Sequence, residues 1–315
     1  MRILFMGTPE FAAEVLDEIN NGKNEIIGVL TQPDKPRGRG MELSQSAVKK
    51  YALANGIDVY QPEVLKDNAF LSELERLGPE LIVVAAYGKI LPRYILDYPK
   101  YDCINVHGSL LPKYRGAAPI QRAIIDGDKI TGITIMKMEA GLDTGDMMLT
   151  ETCTIEENDN FESVYDKLVV CSRRGITRAI ELIEAGEAKY EKQDDSYATY
   201  AEKINKEDCL LDFNTSAESV HNRIRGLSPF PLAFTYLDSK LLKVTASVIV
   251  KKDGDNPDEL VGRIVDTDIK DSLITVACKT GLIGFTAVLP EGKKRMSAGD
   301  FLRGKPIENN TLLGK

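Results

Sequence analysis

Two polar residues stand at the end of a short apolar run in the segment INVHGSLLP, residues 104–112. Asn105 and His107 alternate there with Ile104 and Val106, a period of two that predicts the end of a β-strand with both polar side chains on one face. A hydrogen-bonding amide beside an imidazole suits the polarisation of a carbonyl group and the movement of a proton near neutral pH. A structural histidine with a polar neighbour remains the alternative interpretation of this pair.

A second candidate group is the glycine-containing loop GLDTGD, residues 141–146, which carries Asp143 and Asp146. Asp and Gly are ordinary turn residues, so the loop by itself indicates only a turn. It follows a predicted strand, however, and loops that leave the C-terminal ends of parallel strands line the ligand crevice of an open α/β sheet. We therefore expect Asp143 to approach Asn105 and His107, where a carboxylate would orient an imidazole and favour its protonated form.

The elements that must position these residues alternate short apolar runs with helical patterns, which is typical of a parallel α/β sheet. Thr8 is predicted to cap the first helix, with Pro9 in its first position. A long amphipathic helix is predicted over 161–184. The strands of this half are predicted at 2–6, 25–31, 81–86, 103–107 and 130–137.

The chain changes character at 186–206, which is polar, lacks a sustained apolar period and is predicted to be a tether. A helix at 216–225 follows it, and then short β-like runs separated by turn residues, the pattern of a small sandwich or barrel. These runs cover 232–237, 241–250, 260–265, 272–278 and 282–288. We predict a catalytic domain at 1–189, a linker at 190–206 and a C-terminal domain at 207–315.

Composition narrows the class of protein. A chain of 315 residues suits one large domain or two ordinary ones. Its five cysteines are odd in number and contain no CxxC pair, which predicts reduced thiols and a cytoplasmic location. The first apolar run is too short for a signal peptide, and no stretch approaches the ~20 apolar residues of a membrane helix, so we expect no membrane association.

Several catalytic motifs are absent from the sequence. It has no GxGxxG fingerprint, no GxxxxGK[ST] loop and no GxSxG elbow, which speaks against hydride transfer, P-loop phosphoryl transfer and serine hydrolysis. Two widely separated histidines and no paired cysteines make a zinc site improbable, and we expect no metal. The second histidine, His221, is predicted to be a surface or structural residue.

Basic residues cluster at loops although the net charge is −8. The loop QPDKPRGRG, residues 32–40, carries Lys35, Arg37 and Arg39 without an apolar anchor, and the tip at Lys293-Lys294-Arg295 is also basic. Such loops are either simply solvated or free to contact phosphates. Together they point towards an anionic polymer as a partner.

Longer strings carry a family resemblance over essentially the full chain. They are TQPDKPRGRG (31–40), AAYGKILP (85–92), CINVHGSLLPKYRGAAPIQR (103–122), GITIMKMEAGLDTGDM (132–147), TYAEKI (199–204), LSPFPLAFTYL (227–237) and GKKRMSAGDFL (292–302). On these strings the sequence resembles the methionyl-tRNA formyltransferases, a branch of the 10-formyltetrahydrofolate-dependent formyltransferases. The motif HGSLLP with RGAAPIQ is specific for the wider family. The basic loop and the C-terminal strings are specific for the tRNA enzymes.

The resemblance implies a Rossmann-like α/β formyltransferase domain with a parallel-rich sheet and a C-terminal β-barrel of OB type. It implies 10-formyltetrahydrofolate as formyl donor and methionyl initiator tRNA as acceptor, and we expect a monomer. By motif position, Asn105, His107 and Asp143 are catalytic. The implied donor-binding residues are Ser109, Leu110, Leu111 and Pro112, with Tyr87, Gly88, Lys89, Ile90 and Leu91 near the pterin. The implied tRNA contacts are Lys35, Arg37, Arg39, Lys293, Lys294 and Arg295, of which Arg39 matches the family's tRNA-contacting arginine.

Three other functions remain open on sequence alone. One is hydrolysis of 10-formyltetrahydrofolate by the same three residues acting on water. Another is formylation of a sugar-nucleotide amine. The third is an RNA-binding protein with a vestigial site, against which the intact trio argues; the basic loop argues against the first two.

Overall fold

The computed structural model describes residues 1–37 and 42–314, which form two compact units. The first consists of Met1–Gly116, Thr131–Cys153 and Asp166–Tyr200, and the second of Ala117–Ile130, Thr154–Tyr165 and Ala201–Lys315. Each unit has its own principal sheet. No helix among these residues is long and apolar enough to cross a membrane.

The strands are β1 (Arg2–Gly7), β2 (Glu25–Leu30), β3 (Lys35–Arg37), β4 (Glu42–Ser44), β5 (Val59–Tyr60), β6 (Leu81–Ala85), β7 (Cys103–His107), β8 (Arg115–Gly116), β9 (Ile130–Lys137), β10 (Met147–Thr154), β11 (Tyr200–Ala201), β12 (Ala233–Leu237), β13 (Lys240–Asp255), β14 (Ile264–Asp268), β15 (Leu273–Ala277), β16 (Thr280–Pro290) and β17 (Met296–Ser297). The helices are α1 (Glu10–Asn20), α2 (Ala47–Ala54), α3 (Leu71–Leu77), α4 (Arg93–Leu96), α5 (Pro119–Ile125), α6 (Phe161–Ala185), α7 (Ala217–Gly226) and α8 (Ala298–Gly304).

The sheet of the first unit has the strand order β10-β9-β7-β6-β1-β2-β5. The five strands from β7 to β5 run parallel, so the predicted parallel-rich α/β fold is confirmed. Strands β6 and β7 are buried along their whole length, which explains their near-continuous apolar sequences. Strand β9 runs antiparallel to β7, a reversal that the apolar pattern did not predict.

The parallel direction of β1, β6 and β7 brings their C-terminal ends to one edge of this sheet. Thr8 follows β1 there, and its hydroxyl donates a hydrogen bond to the Tyr87 carbonyl, 3.1 Å away, in the loop after β6. Thr8 was predicted to cap α1, and that prediction is wrong: Pro9 is the N-cap residue, and no side chain caps the helix. The threonine links two loops at this edge, where His107 ends β7.

The second unit is built on an antiparallel sheet of order β12-β13-β16-β15-β14, with β17 paired to β16. The long strand β13 changes register against β16 at several bulges, which bend a sheet and increase its twist. The curved antiparallel sheet is consistent with the predicted barrel-like domain. Its core includes Val244, Val276, Phe285 and the α7 residue Ile224, all fully buried.

The segment predicted as a linker, 190–206, begins inside the first unit. Glu191 and Met147 exchange two backbone hydrogen bonds of 2.8 Å, which tie the start of the segment to β10. A short 3-10 helix, Asp195–Tyr197, follows. Polar composition alone gave no indication of this packing.

His221 lies in α7 of the second unit and is only 5% exposed. Its ring nitrogens lie 2.9 Å from the Ser247 hydroxyl and 3.3 Å from the Glu157 carbonyl oxygen. Burial lowers its pKa. Of the two interpretations offered for this residue, the structural one agrees with these contacts and the surface one is wrong.

Candidate active site

Asn105 and His107 occupy the last three positions of β7 with Val106 between them, so their side chains project from the same face of the sheet. They are 8% and 6% exposed. The neighbouring strand β9 places Met136 opposite Asn105 and Thr134 opposite His107. An amide and an imidazole are thereby held on a rigid element at the sheet edge where the loops begin.

The hydrogen-bond contacts of the His107 ring indicate which of its two nitrogens carries a hydrogen atom. Its Nε2 atom lies 3.0 Å from the Tyr114 carbonyl oxygen. A carbonyl can only accept a hydrogen bond, so Nε2 carries hydrogen and donates. The proton that this ring gains and loses is therefore on Nδ1.

Nδ1 of His107 lies 3.6 Å from Oδ2 of Asp143, so the predicted convergence of the two residues is observed. The distance exceeds a direct hydrogen bond, but catalytic contacts are often long before substrate binds and shorten afterwards. The same carboxylate oxygen accepts a 2.9 Å hydrogen bond from the Gly116 amide. The backbone thus holds Asp143 facing the proton-exchanging atom of the histidine.

Both residues that contact the His107 ring have left-handed backbones. Tyr114 has φ of +61° and Asp143 has φ of +51°. A residue with a Cβ atom adopts this conformation at a cost, and such residues cluster at functional sites where the surrounding structure imposes it. Here the conformations belong to the residues that aim a carbonyl and a carboxylate at the imidazole.

Gly145 lets the Asp143 loop pack against β9. A Cβ atom at this position would lie 1.8 Å from the Lys137 carbonyl oxygen, so the loop has no room for a larger residue. We expect Gly145→Ala to displace Asp143 and to lower kcat by roughly 100-fold, the cost of a misplacement of about 1 Å. Steady-state kinetics measure the loss, with Gly304→Ala as control, because a Cβ atom there meets no neighbour within 4 Å. An unchanged kcat would show that the position of this loop does not matter for activity.

Asn105 differs from His107 in having no partner. Within residues 1–37 and 42–314, no hydrogen bond to its side-chain amide is found, although the residue is largely buried. Its amide nitrogen and oxygen are not among the fully buried, unpaired side-chain atoms of the described residues, so the amide remains accessible to a ligand. Asn105 is thus suited to donate a hydrogen bond to a substrate oxygen beside His107.

The predicted donor segment after β7 is fixed by its own hydrogen bonds. Ser109 is fully buried, and its hydroxyl donates to the Lys113 carbonyl at 2.6 Å. The Thr134 hydroxyl donates to the Ser109 carbonyl and accepts from the Leu111 amide. Leu111 is also buried, which leaves Leu110 and Pro112 as the partly exposed side chains of this segment.

The predicted donor segment after β6 alternates between the core and the surface. Tyr87 and Leu91 are buried, whereas Gly88 is exposed and Ile90 is 89% exposed. Burial raises the pKa of Tyr87 to about 12. Lys89 donates hydrogen bonds to the Pro62 and Glu63 carbonyls, and burial lowers its pKa. Only part of this segment is therefore open to a ligand.

The sequence did not predict the roles of Tyr114 and Gly116, which contribute only backbone groups to the site. Both lie in KYRGA, inside the string that carries the family resemblance. Gly116 has φ of +121°, which favours glycine, but side-chain chemistry gave no sign of either contact. Among the described residues there is no cluster of three or more His, Cys, Asp or Glu side chains arranged to hold a metal ion.

Comparison with known proteins identifies the family of the chain. The formyl transferase family model matches residues 1–180, and the model of the formyl transferase C-terminal domain matches residues 203–306. The methionyl-tRNA formyltransferase of Geotalea daltonii is 43% identical, over 100% of this chain and 98% of the relative. That of Caldanaerobacter subterraneus is 46% identical, over 99% of this chain and 100% of the relative. The chain belongs to the methionyl-tRNA formyltransferase family.

Two solved structures share the fold of this methionyl-tRNA formyltransferase family member. An N-formyltransferase from Helicobacter canadensis, in complex with folinic acid and dTDP-3-aminofucose, has a TM-score of 0.68 and 19% identity and covers 90% of this chain and 98% of its own. HypX from Aquifex aeolicus, in complex with tetrahydrofolic acid, has a TM-score of 0.62 and 14% identity and covers 98% of this chain and 48% of its own.

Membership of the methionyl-tRNA formyltransferase family confirms that the chain is an enzyme and that its reaction is formyl transfer to methionyl-tRNA with a folate donor. It does not assign roles to residues.

The residues predicted to contact tRNA lie in two places. Lys35 is exposed on β3, which pairs with β4, while Lys293, Lys294 and Arg295 form an exposed tip before β17. Arg39 lies outside the described residues, as does the side chain of Arg37.

Proposed function

We propose that Asn105, His107 and Asp143 transfer the formyl group of 10-formyltetrahydrofolate to the α-amino group of methionyl initiator tRNA, giving N-formylmethionyl-tRNA for translation initiation. The observation that carries the assignment is the 3.6 Å approach of Asp143 Oδ2 to His107 Nδ1, with Asn105 two residues before His107 on the same face of β7. The relatives named methionyl-tRNA formyltransferase support the choice of acceptor.

Each of the three groups has a separate task in this proposal. The amine nitrogen forms a bond to the formyl carbon, the bond from that carbon to N10 of the folate breaks, and negative charge develops meanwhile on the formyl oxygen. Asn105 donates a hydrogen bond to that oxygen, and protonated His107 donates a second one. Asp143 stabilises the protonated ring and receives, through water, the proton that the attacking amine loses. N10 gains a proton when it leaves, so protons balance over the reaction.

We place the donor along the sheet edge between the segments after β6 and β7. Ile90, Leu110 and Pro112 offer accessible apolar surface there, and the backbone of Ser109–Pro112 is held by Thr134. A preorganised segment of this kind positions a ligand without ordering cost. Ser109, whose hydroxyl is already bonded within the segment, supports the donor site through its backbone.

The decisive experiment measures formyl transfer to charged initiator tRNA from 10-formyltetrahydrofolate. Parallel reactions contain the donor alone, to measure hydrolysis, and the donor with a sugar-nucleotide amine. We expect rapid formylation of the aminoacyl group and slow turnover in both parallel reactions. Consumption of the donor at the same rate with and without charged tRNA, with no formylated tRNA formed, would overturn the proposed function.

We further propose that the basic loop and the basic tip bind the tRNA backbone. In this proposal residues 1–189 form the catalytic domain, 190–206 connect it to the second domain, and 207–315 take part in tRNA binding. Lys35, Lys293 and Lys294 are exposed and available to phosphates, while the Arg295 guanidinium donates to the Thr245 hydroxyl at 3.1 Å. We also propose that the enzyme acts as a monomer and that it is cytoplasmic, the location being in line with an odd number of cysteines and the lack of a CxxC pair.

Arg39 supplies the most direct test of the basic loop. We expect Arg39→Ala to weaken use of charged tRNA by about 1–3 kcal/mol if the contact is bidentate, with KM for the donor nearly unchanged. Arg39→Lys should restore only part of the loss, because an ammonium group lacks the planar fork of a guanidinium. The measurement is kcat/KM for tRNA over a salt series, with Arg93→Ala as an exposed control.

The salt series separates two kinds of contact made by Arg39. Loss of a phosphate contact lowers the salt slope by about one unit, whereas loss of a base contact leaves it nearly unchanged. Values of kcat/KM equal to wild type at every salt concentration would contradict the tRNA-binding role.

A further inference from the structure

Gln193 is a buried side chain in the middle of a polar segment. It is 5% exposed, and every hydrogen-bonding position of its amide is used. Its Nε2 atom donates to the Asp143 carbonyl and to the Gly145 carbonyl, both at 2.8 Å. Its Oε1 atom accepts from Nε and Nη2 of Arg115, at 3.0 and 2.7 Å. The amide is therefore saturated by partners within the first unit.

Arg115 lies between the two backbone groups that hold the catalytic pair. Its neighbour Tyr114 supplies the carbonyl that binds His107, and its other neighbour, Gly116, supplies the amide that binds Asp143. The Arg115 side chain is only 3% exposed. Gln193 joins the Arg115 side chain to the carbonyls of Asp143 and Gly145. It thereby connects the segment that orients His107 to the loop that carries the Asp143 carboxylate.

An amide is the side chain that these partners require. One end must accept from a guanidinium, and the other must donate two hydrogen bonds to carbonyl oxygens. A carboxylate at this position would keep the first contact but turn an acceptor towards two carbonyls. An apolar side chain would leave buried donors and acceptors unpaired on both sides, which is costly.

We propose that Gln193 is a positioning residue for formyl transfer, which keeps the Asp143 carboxylate facing Nδ1 of His107. It holds the Asp143 carbonyl, and with it the left-handed backbone at that residue. This inference rests on the catalytic role proposed above for Asp143. Gln193 contacts neither substrate in this proposal and acts only through the loop.

The first test is Gln193→Glu, which keeps the size of the side chain and its contact to Arg115. We expect kcat to fall about 10- to 100-fold, as for a small displacement of a catalytic group, while KM for both substrates stays within about twofold. The control is Asp195→Asn, which removes only the ion pair of Arg115 to a carboxylate that is 80% exposed. That variant should keep wild-type kcat.

A double-mutant cycle with Asp143→Asn distinguishes positioning from general support of the fold. If Gln193 acts through the carboxylate, Gln193→Glu should lower kcat less than about twofold once Asp143 is already asparagine, because coupled residues are not additive. Gln193→Met repeats the cycle without the added charge. All variants are compared at a temperature at which circular dichroism shows each of them folded.

The outcomes separate failure of this inference from failure of the proposed function. Wild-type kcat in folded Gln193→Glu and Gln193→Met, or an equal loss in both backgrounds of the cycle, would overturn the positioning role. If instead Asp143→Asn alone keeps wild-type kcat, the proposed catalytic role of Asp143 is wrong and this inference is wrong with it.

Discussion

Replacement of His107 by alanine is expected to lower kcat by about 10²–10⁴, the usual contribution of a positioned acid–base group. The ring is the only side chain of the proposed trio that contacts both a backbone carbonyl and the catalytic carboxylate. KM for the donor and for charged tRNA should change little, because the segments assigned to binding remain in place. Steady-state kinetics with each substrate varied in turn measure the change in kcat separately from the changes in KM.

The other histidine offers a matched control for this variant. His221 lies in the second unit and is bonded to Ser247 and Glu157, so His221→Gln should keep kcat even if it lowers the thermal midpoint. A His107→Ala enzyme that is folded and turns over at the wild-type rate would refute the catalytic assignment.

Asp143→Asn is expected to produce the second large loss, about 10²–10³ in kcat, since it removes a charge that faces the proton-exchanging nitrogen while preserving size. Asparagine can still accept the 2.9 Å hydrogen bond from the Gly116 amide, so the loop should keep its conformation. The loss should therefore appear in kcat, with little change in the free energy of unfolding.

Glu139→Gln is the control for this charge removal, because Glu139 is an exposed acidic residue that precedes Asp143 in the same connection between β9 and β10. The kcat of this variant should match that of the wild-type enzyme. Equal kcat for Asp143→Asn, Glu139→Gln and wild type would show that Asp143 is an ordinary turn residue without a catalytic role.

Strand β7, which carries Asn105 and His107, was predictable in full. The predicted strand at 103–107 coincides with β7, because an apolar run that alternates with two polar residues and ends at a glycine has few other conformations. The same holds for β9, predicted and observed at 130–137. The local pattern of apolar and polar residues was sufficient to predict the bounds of both strands.

The approach of Asp143 to His107 was predicted for a reason that the structure corrects. A parallel strand before the loop is expected from the apolar pattern, but β9 is antiparallel to β7, with Lys137 opposite Ile104 and Thr134 opposite His107. The loop therefore starts away from the histidine and returns to it. Strand direction depends on pairing between distant segments, which periodicity does not encode.

Gln193 shows the limit of composition as a guide. The segment around it is polar and lacks an apolar period, so it was predicted to be a tether, yet its glutamine is buried among backbone carbonyls and a guanidinium. Burial of a polar residue is decided by partners that lie far away in sequence, here 48 residues or more. A single sequence carries no local signal for such contacts.

The left-handed backbones at Tyr114 and Asp143 restrict how this chain can evolve. Each costs roughly 1–3 kcal/mol of conformational free energy, and glycine would adopt the same conformation with less strain. Yet glycine at 143 would remove the carboxylate, and glycine at 114 would remove a side chain that is 7% exposed. Selection for thermal tolerance therefore has to act on positions remote from His107, since glycine at 114 or 143 would remove either a buried side chain or the proposed catalytic carboxylate.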